Sequence, residues 1–144
     1  MKKKIIGYTC GVYDLFHIGH LNLFERCKKQ CDYLIVGVCD DKYVEMYKSK
    51  KPVIGENDRL RIVKALKCVD DALLIDCEET VDKKLSWEKL KFDKLFVGSD
   101  WENTERFNKT IEQFKENNIN VEIVFLPYTQ GVSTSDIRES IINK

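Results

Sequence analysis

The sequence has no excess of charge, few punctuating residues and no long apolar run. Its 24 Lys and Arg balance 24 Asp and Glu, so nothing supplies the broad basic face of a general nucleic-acid binder. The apolar runs reach only about five or six residues, far short of a membrane span. The charged start at Met1-Lys-Lys-Lys is not followed by the apolar stretch a signal peptide needs. These absences point to a cytoplasmic chain with no nucleic-acid or membrane partner. There is no low-complexity tract, repeat or linker, and the two prolines leave long uninterrupted segments, so residues 1–144 are expected to form one domain. Neither a G-x-G-x-x-G nor a Walker A motif is present, so any phosphate must be held by side chains and helix starts.

A hydrophobic fraction of 43% with 10% aromatics is that of a globular chain. A chain of this length buries roughly two-thirds of its unfolded surface without needing disulfide staples. Six cysteines are present, but Cys10 and Cys39 sit in apolar, strand-like runs, and no Cys/His cluster completes a zinc quartet. They read as reduced thiols acting as small hydrophobes.

Short apolar runs alternate with amphipathic stretches. Strands are predicted over residues 5–10, 33–39, 72–75, 94–97 and 121–126, the last stopped by Pro127. Helices are predicted over 21–29 and 58–67, around Phe107, Ile111 and Phe114, and over 136–142 with Ile137 and Ile141 on one side. The order β-α-β-α-β-α-β-α-β-α implies an α/β fold: a single doubly wound, parallel five-stranded sheet with helices on both faces. Such sheets carry their sites beyond the carboxyl ends of the strands.

The loop after the first strand reads Gly11-Val-Tyr-Asp-Leu-Phe-His17-Ile-Gly-His20 and holds the only two histidines of the chain. Alone, the pair is compatible with a capped turn. At a strand-to-helix junction it faces free amides and a positive dipole suited to an anion. Gly131-Val-Ser-Thr-Ser135 precedes the last helix, where Ser133 and Asp136 also suit a plain N-cap.

Together the two segments resemble the signatures of the H-x-G-H nucleotidyltransferase superfamily, specifically its cytidylyltransferase branch. The size and layout are similar to those of small bacterial glycerol-phosphate cytidylyltransferases. The resemblance implies a Rossmann-like nucleotidyltransferase fold, a homodimer, Mg²⁺ bound mainly through nucleotide phosphates, and transfer of a cytidylyl group from CTP to a small alcohol phosphate. For glycerol phosphate the products would be CDP-glycerol, for surface-polymer synthesis, and pyrophosphate.

By the same resemblance His17, His20, Lys50, Ser133 and Thr134 are the catalytic set. The histidines act as hydrogen-bond donors to phosphate, as imidazolium in one version, because a phosphate nucleophile that is dianionic at pH 7 needs no base. Cys10, Gly11, Val12, Tyr13, Gly19, Lys48, Arg59, Gly98, Asp100, Thr129, Gly131 and Val132 would bind the nucleotide. Asp14, Asp40, Lys67, Trp101 and Tyr128 would face the acceptor, with Asp14 either near the metal or bracing the histidine turn. Plainer roles stand beside these: a solvated loop for Lys48-Ser-Lys-Lys51, a surface pair with Glu56 for Arg59, and an N-cap for Asp100.

Two positions depart from the family pattern. Tyr128 stands where an arginine is common, and Val12 where glycerol-phosphate enzymes often have Thr. Three other readings compete: a choline-type enzyme, which requires an aromatic cage; an adenylyl transferase acting on a sugar phosphate or cofactor precursor; and a non-catalytic nucleotide sensor, against which the intact histidine pair speaks.

Overall fold

A computed structural model describes residues 3–143. Five strands, β1 (Ile6–Gly11), β2 (Tyr33–Cys39), β3 (Asp71–Ile75), β4 (Lys94–Gly98) and β5 (Glu122–Leu126), form one parallel sheet in the order β3-β2-β1-β4-β5. The helices are α1 (Ile18–Lys28), α2 (Asp41–Lys48), α3 (Glu56–Lys64), α4 (Cys77–Val81), α5 (Lys83–Leu90), α6 (Glu105–Glu116) and α7 (Thr134–Ile142), with a 3-10 turn over Ser99–Trp101. The α/β, Rossmann-like architecture is the one the element order implied.

β2 shows why the sheet is covered twice. Leu34, Val36 and Val38 point to one face, where they pack with Phe24 of α1 and Val63 of α3. Ile35, between them, points to the other and packs with Tyr8, Phe92 and Phe114. A strand buried on both faces reads as a continuous apolar run, as this one does. Fully burying one such side chain contributes about 1.5–3 kcal/mol.

Two helices were not foreseen as such. α2 replaces the expected loop extension: the Asp40 carboxylate accepts from the Tyr43 amide at 2.8 Å and starts it, and Tyr43 and Val44 are buried beneath it. α4 starts in a capping box between Asp76 and Glu79. α3 stops at Lys64 rather than Lys67, and Asp70, which accepts from the Leu34 amide at 2.7 Å, draws the chain into the register of β3. α7 starts at Thr134, two residues early, and Ile141 on it is 66% exposed.

The strand order reverses at β1, whose neighbours are β2 and β4. β1 pairs with β2 along six residues, but with β4 only at Gly7–Lys94 and Tyr8–Leu95. Beyond that the Thr9 hydroxyl donates to the Phe96 carbonyl at 3.0 Å in place of a backbone amide. The two strands then part toward their carboxyl ends, and the crevice this opens at the switch point is where the cleft lies.

Candidate active site

The wall of the cleft begins where β1 ends. A Cβ on Gly11 would lie 2.9 Å from the Tyr13 ring, so only glycine fits there. The chain turns through Tyr13 and Leu15, both in the left-handed region at φ 57° and 48°. Burial of the Tyr13 ring, 4.9 Å from the Phe24 ring centroid, holds this turn in place.

Asp14 ties the turn to two distant segments. Its carboxylate accepts from the amides of Val53 (2.8 Å), Ile54 (2.9 Å) and Leu15 (3.1 Å) and from the Arg138 guanidinium (2.9 Å). Burial alone would raise its pKa, but the Ile54 and Val53 amides and Arg138 outweigh that and hold it below the usual carboxylate range. Asp14 is therefore a brace. Of the roles expected for it, bracing the histidine turn is the one this geometry supports.

The histidines cap α1 reciprocally. The amide of Gly19 donates to Nδ1 of His17 at 3.1 Å, and the amide of His17 donates to Nδ1 of His20 at 3.3 Å. Their rings stack with centroids 3.8 Å apart. A Cβ on Gly19 would sit 2.9 Å from the His17 ring, so the close approach needs glycine. Because both Nδ1 atoms accept, the hydrogen-bond network assigns the neutral proton to Nε2 in each ring. Burial lowers the pKa of His17; burial and then the neighbouring His17 lower that of His20 to about 4. At pH 7 the pair thus offers two neutral Nε2–H donors, and the imidazolium version of their role does not hold in the free protein.

The cleft encloses about 430 Å³. Of the expected residues it brings together Cys10, Gly11, Val12, Tyr13, Asp14, His20, Lys48, Lys50, Gly98, Trp101, Tyr128 and Thr134. Lys48 ends α2, and the left-handed Ser49 turns the chain so that Lys50 also faces the cleft. Thr134 donates to the Asp14 carbonyl at 2.8 Å, joining α7 to the histidine turn.

Other expected residues stand around the cleft. His17 stacks against His20 outside the cleft lining, and the Ser133 hydroxyl caps α7 by accepting from the Asp136 amide at 3.0 Å. Gly131 has φ 81°, Val132 lies against Gly19, and Thr129 accepts from Asn22 at 3.2 Å. Asp40 is spent on capping α2. Asp100 is not the cap of the next helix, a part taken by Thr104. It accepts instead from the Tyr128 hydroxyl at 2.9 Å. Burial, then this bond and the Asp100 charge, push the Tyr128 phenol up to about 12, so it stays a neutral donor.

Two expectations fail on placement. Arg59 is only 1% exposed, and its fork is used on the carbonyls of Ile54, Val12 and Cys39 and on the Asp41 carboxylate at 2.6 Å. A guanidinium buried here with four of its N–H groups engaged is not placed to grip a phosphate, and its ion-pair partner is Asp41 rather than Glu56. Lys67 is exposed in the turn before β3, at the amino end of the sheet, opposite the cleft.

The cleft also holds cations that sequence reasoning missed: Lys83, Arg106 and Arg138. Arg138 had a readable signal, standing one helical turn after Thr134 on the same face of α7. Lys83 sits in a Lys-Lys pair with nothing to separate the buried member from the exposed one. It is 7% exposed and donates to the Thr80 carbonyl and, at 3.1 Å, to the Cys10 thiol. Among the described residues no group of three or more His, Cys, Asp or Glu could hold a metal ion, and no helix is long and apolar enough to cross a membrane.

The family profile described as Cytidylyltransferase-like matches residues 8–140, nearly the whole chain. The chain belongs to this cytidylyltransferase-like family. It is 34% identical to the glycerol-3-phosphate cytidylyltransferase of Bacillus subtilis (strain 168), over 96% of this chain and 97% of that one. It is also 32% identical to the FAD synthase of Thermococcus sibiricus, over 98% of this chain and 95% of that one. Among solved structures it is similar to the lipopolysaccharide core biosynthesis protein from Thermoplasma volcanium GSS1, with a TM-score of 0.76, 28% identity, and coverage of 89% of this chain and all of that one. The enzyme is a nucleotidyltransferase of this family.

Proposed function

We propose that this enzyme transfers a cytidylyl group from CTP to a small alcohol phosphate, glycerol phosphate in the first instance, giving CDP-glycerol and pyrophosphate. The observation that carries the reading is the neutral Nε2–H donor of His20, its ring stacked on that of His17 at the switch point, in a cleft with Lys48, Lys50 and Arg138. The full-length similarity to a glycerol-3-phosphate cytidylyltransferase supports the choice of acceptor.

In this reading a non-bridging oxygen of the acceptor phosphate attacks the α-phosphorus of CTP. The bond from that phosphorus to the β-bridging oxygen breaks, and pyrophosphate leaves. The acceptor phosphate is mostly dianionic at pH 7, so no proton has to be removed. His17 and His20 donate to α-phosphate oxygens as charge builds on them. Lys48, Lys50 and Arg138 hold the outer phosphates, and buried Lys83 offsets repulsion between the two anions. Mg²⁺, carried by the triphosphate and water, neutralises phosphate charge when bound.

A second reading, adenylyl transfer, is favoured by the similarity to an FAD synthase and by neutral Tyr128 at the position where an arginine is usual in cytidylyltransferases. Pyrophosphate release decides between them. CTP should be tested with glycerol 3-phosphate, glycerol 2-phosphate, phosphocholine and phosphoethanolamine, and ATP with flavin mononucleotide. Turnover with CTP and glycerol 3-phosphate is expected; turnover with ATP alone overturns the reading.

A further inference from the structure

The cations of the cleft fall into two groups. Lys48, Lys50 and Arg138 come from α2, its exit and α7, beside the histidine turn. Lys83 and Arg106 come from α5 and α6, and both donate to one atom, the carbonyl of Thr80. For Arg106 that bond is 3.4 Å long, and its other N–H groups have no partner among the described residues. Its guanidinium lies 4.9 Å over the Trp101 ring, which fixes its plane.

Neither cation has a carboxylate partner among the described residues. The two acids nearest in sequence are engaged elsewhere. Asp82 accepts from the Lys84 amide at 3.0 Å and from Gln113 at 3.3 Å, and Glu105 pairs with Lys109 at 3.4 Å. A buried ammonium with only neutral partners is costly, and a second unpaired cation at the same carbonyl adds repulsion. A dianion entering the cleft would relieve both.

We propose that Arg106 is a specificity-determining residue that, with Lys83, clamps the phosphate of the acceptor. The proposal rests on the transferase reading for the meaning of "acceptor", but not on which nucleotide is the donor. The second charge on the clamp matches the second charge of a phosphate monoester dianion. The enzyme should therefore select such an acceptor over a phosphodiester or a carboxylate, which carry one.

Calorimetric titration with glycerol 3-phosphate, and with inorganic phosphate as the minimal probe, tests this on the full chain. Arg106→Ala is expected to weaken binding of both about 10- to 100-fold, the loss of a charged hydrogen bond, and Arg106→Lys less. Affinity for whichever of CTP and ATP protects the protein against heating should stay within about twofold. If Arg106→Ala fails to fold, Arg106→Gln and Trp101→Leu replace it, the latter freeing the guanidinium while keeping its charge. Unchanged phosphate affinity, an equal loss of nucleotide affinity, or no binding of either probe to the unaltered protein overturns the proposal. Loss of phosphate binding in the variants without any CTP turnover by the unaltered protein would sink the cytidylyl reading and leave the clamp standing.

Discussion

The two imidazoles cap α1 through Nδ1 and, in the proposed reaction, donate through Nε2, and substitution can separate the roles. His20→Ala should lower kcat about 10²- to 10³-fold, the usual cost of removing a donor to developing charge. His17→Asn retains a side-chain acceptor at the N-cap, so its melting temperature should stay close to that of the unaltered protein while kcat falls. Steady-state kinetics beside thermal melts check both; near-normal turnover in His17→Asn would leave His17 with the cap alone. The lowered pKa values also set a pH dependence. Between the unfolded histidine value of about 6.5 and the folded value of about 4 for His20, the unfolded chain binds a proton that the native protein does not. Stability is therefore full above about pH 6.5 and declines as the pH falls toward 4. Melts of the unaltered protein and His20→Asn across that range should converge as the pH drops; a constant difference would mean that His20 is not held neutral.

Within single elements, Arg59 shows the difference between a motif residue and its job. It fastens the start of α3 to the end of β2 and to the histidine loop through three carbonyls and Asp41. Arg59→Lys cannot reach all four acceptors. Arg59→Met leaves the buried Cys39 carbonyl without a partner and loosens the other three acceptors, at a cost of about 1–3 kcal/mol. Denaturant unfolding should show that loss, whereas a phosphate-binding arginine would show a raised KM on an unaltered baseline. The sequence could not distinguish these, because an Arg in the first turn of a short polar helix looks solvent-facing until β1 and β2 are set beside it. The strands were legible because parallel strands buried on both faces are apolar throughout. α2 and α4 were less so, being only eight and five residues long, though the Asp76-Cys-Glu-Glu79 box was a signal on the surface of the text. The histidine turn and Thr134 were legible as motifs. Lys83 and Arg106 were not, since their burial and convergence depend on α5 and α6 meeting over the sheet.

For the molecule as a whole, the balance of 24 charges against 24 proves compatible with an anion site, because the cations gather in one cleft while acids such as Glu105 and Asp70 pair outside it. The family resemblance carries the expectation of a homodimer, and Ile18 and Val53, which are 55% and 62% exposed near the histidine turn, are apolar surface such a contact would cover. Sedimentation at micromolar concentration should give twice 16.9 kDa; a monomer mass contradicts it. One feature of the sheet has a dynamic consequence. Where β1 and β4 pair over only two residues, the sheet has a seam, with β3-β2-β1 on one side and β4-β5 on the other. A seam with so few cross-strand bonds is the natural axis for the halves to swing about. Amides at Val97 and Gly98 should then exchange with solvent deuterium through local opening, while those of Val36 and Val38 exchange only on global unfolding. A nucleotide bridging the seam should slow the first pair selectively, which makes the shortest ladder in the sheet the place where ligand binding would be felt as rigidity.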